Sequence, residues 1–167
     1  MTPYLVPHFI LERYAENKQN GRFSATALFV DISGFSAVTD NLMQHGQHGA
    51  EVLAGVMGAI FEPLINAVYS QGGFVTGFAG DAFTAVFPQP ETTPQHALAA
   101  ALTIQEHMQA KPEQETPYGR FAMSAKVGVA LGEIIWGIVE SEDGTQASYY
   151  FQGTAIDGCA DAAYDRI

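Results

Sequence analysis

The segment FVDISGFS, at residues 29–36, places an acid at the junction of a predicted strand and a predicted helix. Strand-type residues at 25–30 lead into Asp31, and a helical pattern begins after a turn that contains glycine. A carboxylate at a strand end can bind a hard cation, and the free N–H groups of a helix start can bind phosphate. The segment therefore predicts a metal or phosphate site. A plainer interpretation is that Asp31 or Ser33 caps the helix.

A second acid, Asp81, lies between two strand-like runs at residues 74–78 and 83–87. The intervening residues 79–82 contain a Gly-Asp pair, which is typical of a turn, so Asp81 is expected at or just after the tip of a hairpin. Taken alone, Asp81 is equally well explained as an ordinary turn residue.

Hydrophobic periodicity predicts the element order β-α-α-β-β-α-β-β-β-α after a lead-in helix within residues 1–20 that starts at Leu5. The predicted strands are 23–32, 74–78, 83–87, 122–131, 134–139 and 149–152, and the predicted helices are 35–44, 49–70, 93–110 and 153–167. Residues 111–119 are expected to form a polar loop, and residues 132–133 a turn. His45 and His48 are expected in a solvated loop before the second helix, which Pro63 should kink or restart.

A middle hairpin flanked by helices predicts an α+β fold of the ferredoxin-like, split-βαβ class, with a mainly antiparallel sheet and helices packed on it. In such a sheet the first strand lies beside the hairpin, so Asp31 and Asp81 should meet at one edge. Two carboxylates there repel each other unless a cation sits between them. With the phosphate-binding turn beside them, the acids indicate metal-assisted phosphoryl or nucleotidyl transfer.

Charge and composition narrow the possible partners. The chain has 167 residues, which suits one domain, and its net charge is −11 with only seven lysines and arginines. No basic patch can form from so few cations, so nucleic acid and anionic membranes are poor partners. The single cysteine, Cys159, excludes an internal disulfide and fits a reducing compartment. No apolar stretch is expected to reach transmembrane length, so we predict a cytoplasmic domain without membrane insertion.

Four segments together resemble the catalytic domain of the class III nucleotidyl cyclases, the adenylyl and guanylyl cyclases. The likeness is greatest to the first cyclase domain of the soluble, bicarbonate-responsive adenylyl cyclases and their bacterial relatives, and its order and spacing extend from about Phe23 to the chain end. The segments are LFVDISGFS at 28–36, GGFVTGFAGDAFTAVF at 72–87, KVGVALGEI at 126–134 and YFQGTAIDGCADAA at 150–163.

The resemblance implies a lyase that converts ATP to cyclic AMP and pyrophosphate with two Mg²⁺ or Mn²⁺ ions, for signal transduction. Asp31 and Asp81 match the metal-binding aspartates of the family, and the Ile32 carbonyl matches a third metal ligand. The turn that holds the triphosphate is matched by Ser33, Gly34, Phe35 and Ser36. The resemblance also implies a dimeric site, with complementary residues supplied by a second cyclase domain.

Three positions depart from the family pattern. Gly77 replaces the lysine that reads the base, and Asp157 and Asp161 replace an asparagine and an arginine that act in the transition state. Acids at the last two positions would repel the substrate. The chain is therefore interpreted as the metal-supplying half of an adenylate cyclase, completed by a second domain in the same longer chain or in a homodimer or heterodimer.

The alternative hypothesis is a catalytically inactive, cyclase-like module that regulates or dimerises. A ferredoxin-like RNA-binding domain would also fit the sheet, but the negative charge argues against it. Residues 1–22 are interpreted as a lead-in helix and loop, and residues 23–167 as the cyclase homology domain. The last predicted helix carries no capping signal at Ile167, so we expect the domain to be truncated at its C-terminus. The choice of ATP over GTP follows only from the subfamily likeness.

Overall fold

The computed structural model describes residues 6–165. The start of the lead-in helix, which was predicted at Leu5, and the chain end at Ile167 lie outside these residues. The helices are α1 His8–Ala15, α2 Phe35–Met43, α3 Gly46–Ser70, α4 Pro94–Ala110 and α5 Thr154–Tyr164. The strands are β1 Asn20–Ser33, β2 Phe74–Ala79, β3 Ala82–Pro88, β4 Glu113–Thr116, β5 Gly119–Ala122, β6 Ser124–Glu140 and β7 Ala147–Gln152.

One five-stranded sheet, in the order β2-β3-β1-β6-β7, organises the fold, and its strand pairs are all antiparallel. The central strand β1 lies between β3 and β6, so Asp31 faces Ala82 on one side and Lys126 on the other. The first strand therefore lies beside the middle hairpin, as the α+β, split-βαβ prediction requires.

The alternation of side chains along β1 divides the core into two layers. Leu28, Val30 and Ile32 are buried against α2, α3 and α4. Ala25 and Ala27 are buried on the opposite face, which α5 covers. Because successive strand residues point to opposite faces, Asp31 lies on the α5 face. The sequence pattern of β1 thus decides which helix can reach the acid.

Strand β6 is continuous where a turn was predicted at residues 132–133. Its Gly132 packs against α5, and a Cβ at that position would lie 2.5 Å from Thr154 Oγ1 and 2.8 Å from the Ala155 nitrogen. Gly128 is similar, because its Cβ would lie 2.0 Å from the Cys159 carbonyl oxygen. These glycines allow the backbone of α5 to approach the sheet closely, so the predicted turn is wrong.

Other predicted boundaries are also corrected. Residues 113–122 form the β4–β5 hairpin rather than a polar loop, and α3 begins at Gly46, which places His48 inside a helix. Pro63 lies inside α3, which continues as one helix rather than restarting. Helix α5 ends at Tyr164, where Asp165 is in an extended conformation, so the prediction that it runs to the last residue is wrong.

Helix α3 is long and apolar enough to cross a membrane by length and composition alone. It has 25 residues and a mean hydropathy of 1.6 in its most apolar window, and no other helix within residues 6–165 meets these criteria. The prediction that no apolar stretch reaches this length is therefore wrong. One face of α3 lies in the core through Val56, Ile60, Leu64 and Val68, as in a core helix of a globular domain.

Candidate active site

Asp31 and Asp81 lie next to each other at one end of the sheet. The Ile32 amide donates a hydrogen bond of 3.1 Å to the carbonyl oxygen of Asp81, which holds the tip of the β2–β3 hairpin against the end of β1. Asp31 pairs with Ala82, the residue that follows Asp81. Both acids are partly buried. The structure thus brings together the backbones of two acidic residues that are far apart in sequence.

The Ile32 carbonyl is a third oxygen group at this end of the sheet. In a strand, the N–H and C=O of one residue point to the same side. Because the Ile32 amide bonds the hairpin tip, the Ile32 carbonyl also faces the hairpin side. Its side chain is fully buried among the residues beneath α2 and α3, which anchors the backbone at this point.

The turn after β1 is shaped by Gly34, which begins α2 with a left-handed φ of 97°. A Cβ at Gly34 would lie 2.1 Å from the carbonyl oxygen of Ala122, so only glycine fits there without movement. No side chain caps the α2 N-terminus. The N–H groups that follow Gly34 are therefore available to an anion, which excludes Asp31 or Ser33 as the helix cap.

Tyr164, at the end of α5, contacts the first acid. Its hydroxyl donates a hydrogen bond of 2.7 Å to Asp31 Oδ2. This hydrogen bond, with the negative charges of Asp31 and Asp81, raises the pKa of Tyr164 above its usual value. The Lys126 ammonium lies over the tyrosine ring, 4.9 Å from its centroid. Tyr164 was missed by the sequence reasoning, because nothing local links it to Asp31.

The chain is similar to parts of several known proteins. No family model matches it. Adenylate cyclase type 10 from Mus musculus is 25% identical over 137 residues, which cover 81% of this chain and 8% of that protein. An uncharacterized protein from Mycobacterium tuberculosis is 33% identical over 118 residues, which cover 69% of this chain and 19% of that protein. The chain thus spans less than a fifth of the length of these relatives.

Solved structures share the same architecture. A bacterial light-regulated adenylyl cyclase superposes with a TM-score of 0.73 at 19% identity, covering 94% of this chain and 45% of that chain. The guanylyl cyclase Cya2 superposes with a TM-score of 0.66 at 22% identity, covering 87% of this chain and 72% of that chain. The chain has the fold of a class III nucleotidyl cyclase domain. The resemblance drawn from the sequence and the predicted fold class are confirmed.

The donor groups at this end of the sheet fit a hard divalent cation. Within residues 6–165, no group of three or more His, Cys, Asp or Glu side chains is placed to hold a metal. The available groups are the carboxylates of Asp31 and Asp81 and the Ile32 carbonyl. Mg²⁺ and Mn²⁺ prefer such oxygen ligands, and Mg²⁺ is commonly held by one or two carboxylates together with substrate phosphates and water.

Gly77 lies on β2, four residues before Asp81. It lies at a β-bulge between β2 and β3 and lines a shallow pocket of about 260 Å³ with Phe29, Phe78 and Tyr150. A Cβ at Gly77 would meet nothing within 4 Å. The position where the family pattern has a lysine is therefore open space, and a larger side chain would fit there.

Asp157 and Asp161 lie on the exposed side of α5. They precede Tyr164 by seven and three residues, so all three side chains lie on the same side of the helix. Helix α5 therefore presents two acids where the family pattern has an amide and a guanidinium, on the side that also carries the contact with Asp31.

His45 and His48 lie away from the two acids and contact Tyr118 instead. His45 stacks on Tyr118 with ring centroids 3.7 Å apart, and His48 Nδ1 forms a short hydrogen bond with the Tyr118 hydroxyl. Both histidines are exposed, as expected. His45 lies in the turn before α3, as predicted, whereas His48 lies within α3, and both contact the β4–β5 hairpin. Their contact with tyrosine supports a structural role.

Proposed function

We propose that this chain is the metal-supplying half of a class III adenylate cyclase. It would convert ATP to cyclic AMP and pyrophosphate together with a complementary cyclase domain. The single observation that carries the proposal is the placement of Asp31 and Asp81 side by side, next to the uncapped turn at Gly34. Two carboxylates held together in this way repel each other and are best explained by a bound cation.

Asp31, Asp81 and the Ile32 carbonyl would hold the cations. When bound, two Mg²⁺ or Mn²⁺ ions activate the ribose 3′-hydroxyl of ATP and screen the charge of its phosphates. The N–H groups that follow Gly34, with Ser33 and Ser36, would hold the triphosphate. The buried Ile32 and the hairpin contact keep the acids in place, so little reorganisation accompanies binding.

The chain is proposed as one half of the site because the three positions at which the family pattern has a lysine, an asparagine and an arginine carry other residues here. Gly77 offers open space where the family pattern has a lysine, and Asp157 and Asp161 offer negative charge. A tetra-anionic nucleotide would meet a chain of net charge −11. The positive groups that stabilise the transition state would therefore come from the second domain.

The alternative is a cyclase-like module that regulates or dimerises without turnover. The acids at positions 157 and 161 favour it for this chain alone. The paired Asp31 and Asp81 argue against it, because a module without a cation gains nothing from two adjacent carboxylates. The substrate class and a cytoplasmic location are further proposals. The location is supported by Cys159, which is buried and unpaired.

A complementation assay tests the proposal. The chain is mixed with a class III cyclase domain that carries the missing lysine, asparagine and arginine, and cyclic AMP is measured with ATP and Mn²⁺. Activity should appear only in the mixture and should fall by at least about 100-fold with Asp31→Asn or Asp81→Asn. Asp40→Asn removes the same charge from an exposed site on α2 and serves as the matched control.

Two results would contradict the proposal. Rapid turnover of ATP by the 167-residue chain alone would exclude a half-site. Full activity of the mixture with Asp31→Asn and Asp81→Asn would exclude the metal assignment. Replacing ATP with GTP in the same mixture tests the base preference.

A further inference from the structure

Tyr164 forms a hydrogen bond with the candidate metal site but is not one of its proposed ligands. We propose that Tyr164 is a positioning residue: its hydroxyl holds Asp31 Oδ2 and so turns Oδ1 toward the cation. The inference rests on the proposed function, because it requires that Asp31 binds a metal. Helix α5, in which Asp157 and Asp161 depart from the family pattern, would then help to build the metal site.

The tyrosine ring is held on two sides, which fixes where its hydroxyl points. It contacts Phe29, with ring centroids 6.0 Å apart, and the Lys126 ammonium lies 4.9 Å from its centroid. Phe29 precedes Asp31 by two residues on the same face of β1. Lys126 pairs with Asp31 on the neighbouring strand β6. The groups that position the ring therefore belong to the same two strands that position the acid.

The hydrogen bond leaves Asp31 able to bind a cation. A carboxylate has two oxygens and about four acceptor positions, and Tyr164 occupies one of these with a neutral donor. The negative charge of Asp31 is therefore kept, whereas an ion pair with lysine would offset it. Hydrogen bonds of this type orient the carboxylates that ligate metals, and their removal commonly weakens metal binding 10–100-fold.

The opposite role for Tyr164 is that of a plug, in which its hydroxyl competes with the cation for Asp31. The two roles predict opposite changes when the hydroxyl is removed. Tyr164→Phe keeps the ring contacts with Phe29 and Lys126 and deletes only the donor. Tyr164 is 53% exposed, so this change should leave the melting temperature nearly unaltered.

The test measures Mn²⁺ binding to the full chain by electron paramagnetic resonance, without nucleotide. We expect Tyr164→Phe to raise the dissociation constant about 10–100-fold. Tyr14→Phe is the matched control, since it removes a hydroxyl that bonds Glu140, at the far end of β6 from the strand end next to Asp31. Binding that is unchanged within about threefold, or tighter, in Tyr164→Phe would overturn the positioning role.

Asp31→Asn separates this inference from the proposal on which it rests. If Asp31→Asn weakens Mn²⁺ binding and Tyr164→Phe does not, only the role of Tyr164 is wrong. If Asp31→Asn binds Mn²⁺ as well as the unaltered chain does, the metal assignment fails and the inference fails with it. A melting curve for each variant shows whether a change in binding arises from unfolding.

Discussion

Gly34→Ala should destabilise the chain more than alanine at Gly77 or Gly80. Gly34 has a φ of 97°, and an L-residue in the left-handed region costs about 1–2 kcal/mol. The new Cβ would also lie 2.1 Å from the Ala122 carbonyl oxygen, and forcing atoms into a packed site costs about 1–3 kcal/mol. The free energy of unfolding should therefore fall by about 2–5 kcal/mol. For a chain of this size, the melting temperature should fall by about 4–20 °C.

Two glycines of the β2–β3 hairpin separate the backbone cost from the cost of the close contact. Gly80 has a φ of 64° and no neighbour within 4 Å of its Cβ position, so Gly80→Ala should show only the backbone cost of about 1–2 kcal/mol. Gly77 has neither a left-handed φ nor a close neighbour, so Gly77→Ala should be nearly neutral. Thermal unfolding followed by circular dichroism measures all three variants. A melting temperature of Gly34→Ala within about 2 °C of that of Gly77→Ala would contradict the strain and the close contact at Gly34.

Three further changes test other parts of the fold. Phe9 contacts the rings of Phe23, Phe74, Trp136 and Phe151. Phe9→Ala should therefore lower the free energy of unfolding, measured by urea titration, by about 2–4 kcal/mol. A loss below about 1 kcal/mol would contradict this packing. Burial raises the pKa of Cys159 from about 9 to about 12, so the unfolded thiol ionises first and stability should fall between pH 9 and 12. Unfolding measured across this range should show a smaller fall in Cys159→Ala than in the unaltered chain, and an equal fall would contradict the burial of the thiol. Tyr118→Phe removes the hydroxyl that bonds His48 but keeps the ring stacked on His45, so it should lower the free energy of unfolding by about 0.5–1.5 kcal/mol. Tyr118→Ala should lower it further and expose the β4–β5 hairpin to proteolysis.

The candidate site could be predicted from sequence where local patterns specify it. The apolar run of β1, the acid at its end and the glycine turn follow one another in the chain, so their placement needs no knowledge of distant contacts. The meeting of Asp31 and Asp81 required one additional step, the pairing of β1 with the middle hairpin. That pairing follows from the order of elements in a split-βαβ sheet, and the register of Asp31 with Ala82 agrees with it.

The features that were missed depend on contacts between distant segments. Gly132 has the local signature of a turn, but it lies in a continuous strand because α5 packs on it. Residues 113–122 are polar and contain proline, yet they pair as a hairpin whose Tyr118 docks on His45 and His48. Tyr164 is 133 residues from Asp31, so no periodicity could link their side chains.

The distribution of charge at the site edge explains why α5 is central to the proposed half-site. Asp31 and Asp81 concentrate negative charge at the ends of β1 and the hairpin, and Asp157 and Asp161 add more on the side of α5 that carries Tyr164. Tyr164 and Lys126 moderate this charge only locally, because the tyrosine is neutral and the lysine is exposed. In the proposed half-site, this charge would be neutralised by bound cations and by a second domain. We accordingly expect assembly with a basic partner face to weaken as salt concentration rises, since exposed charges are screened beyond about 8–10 Å.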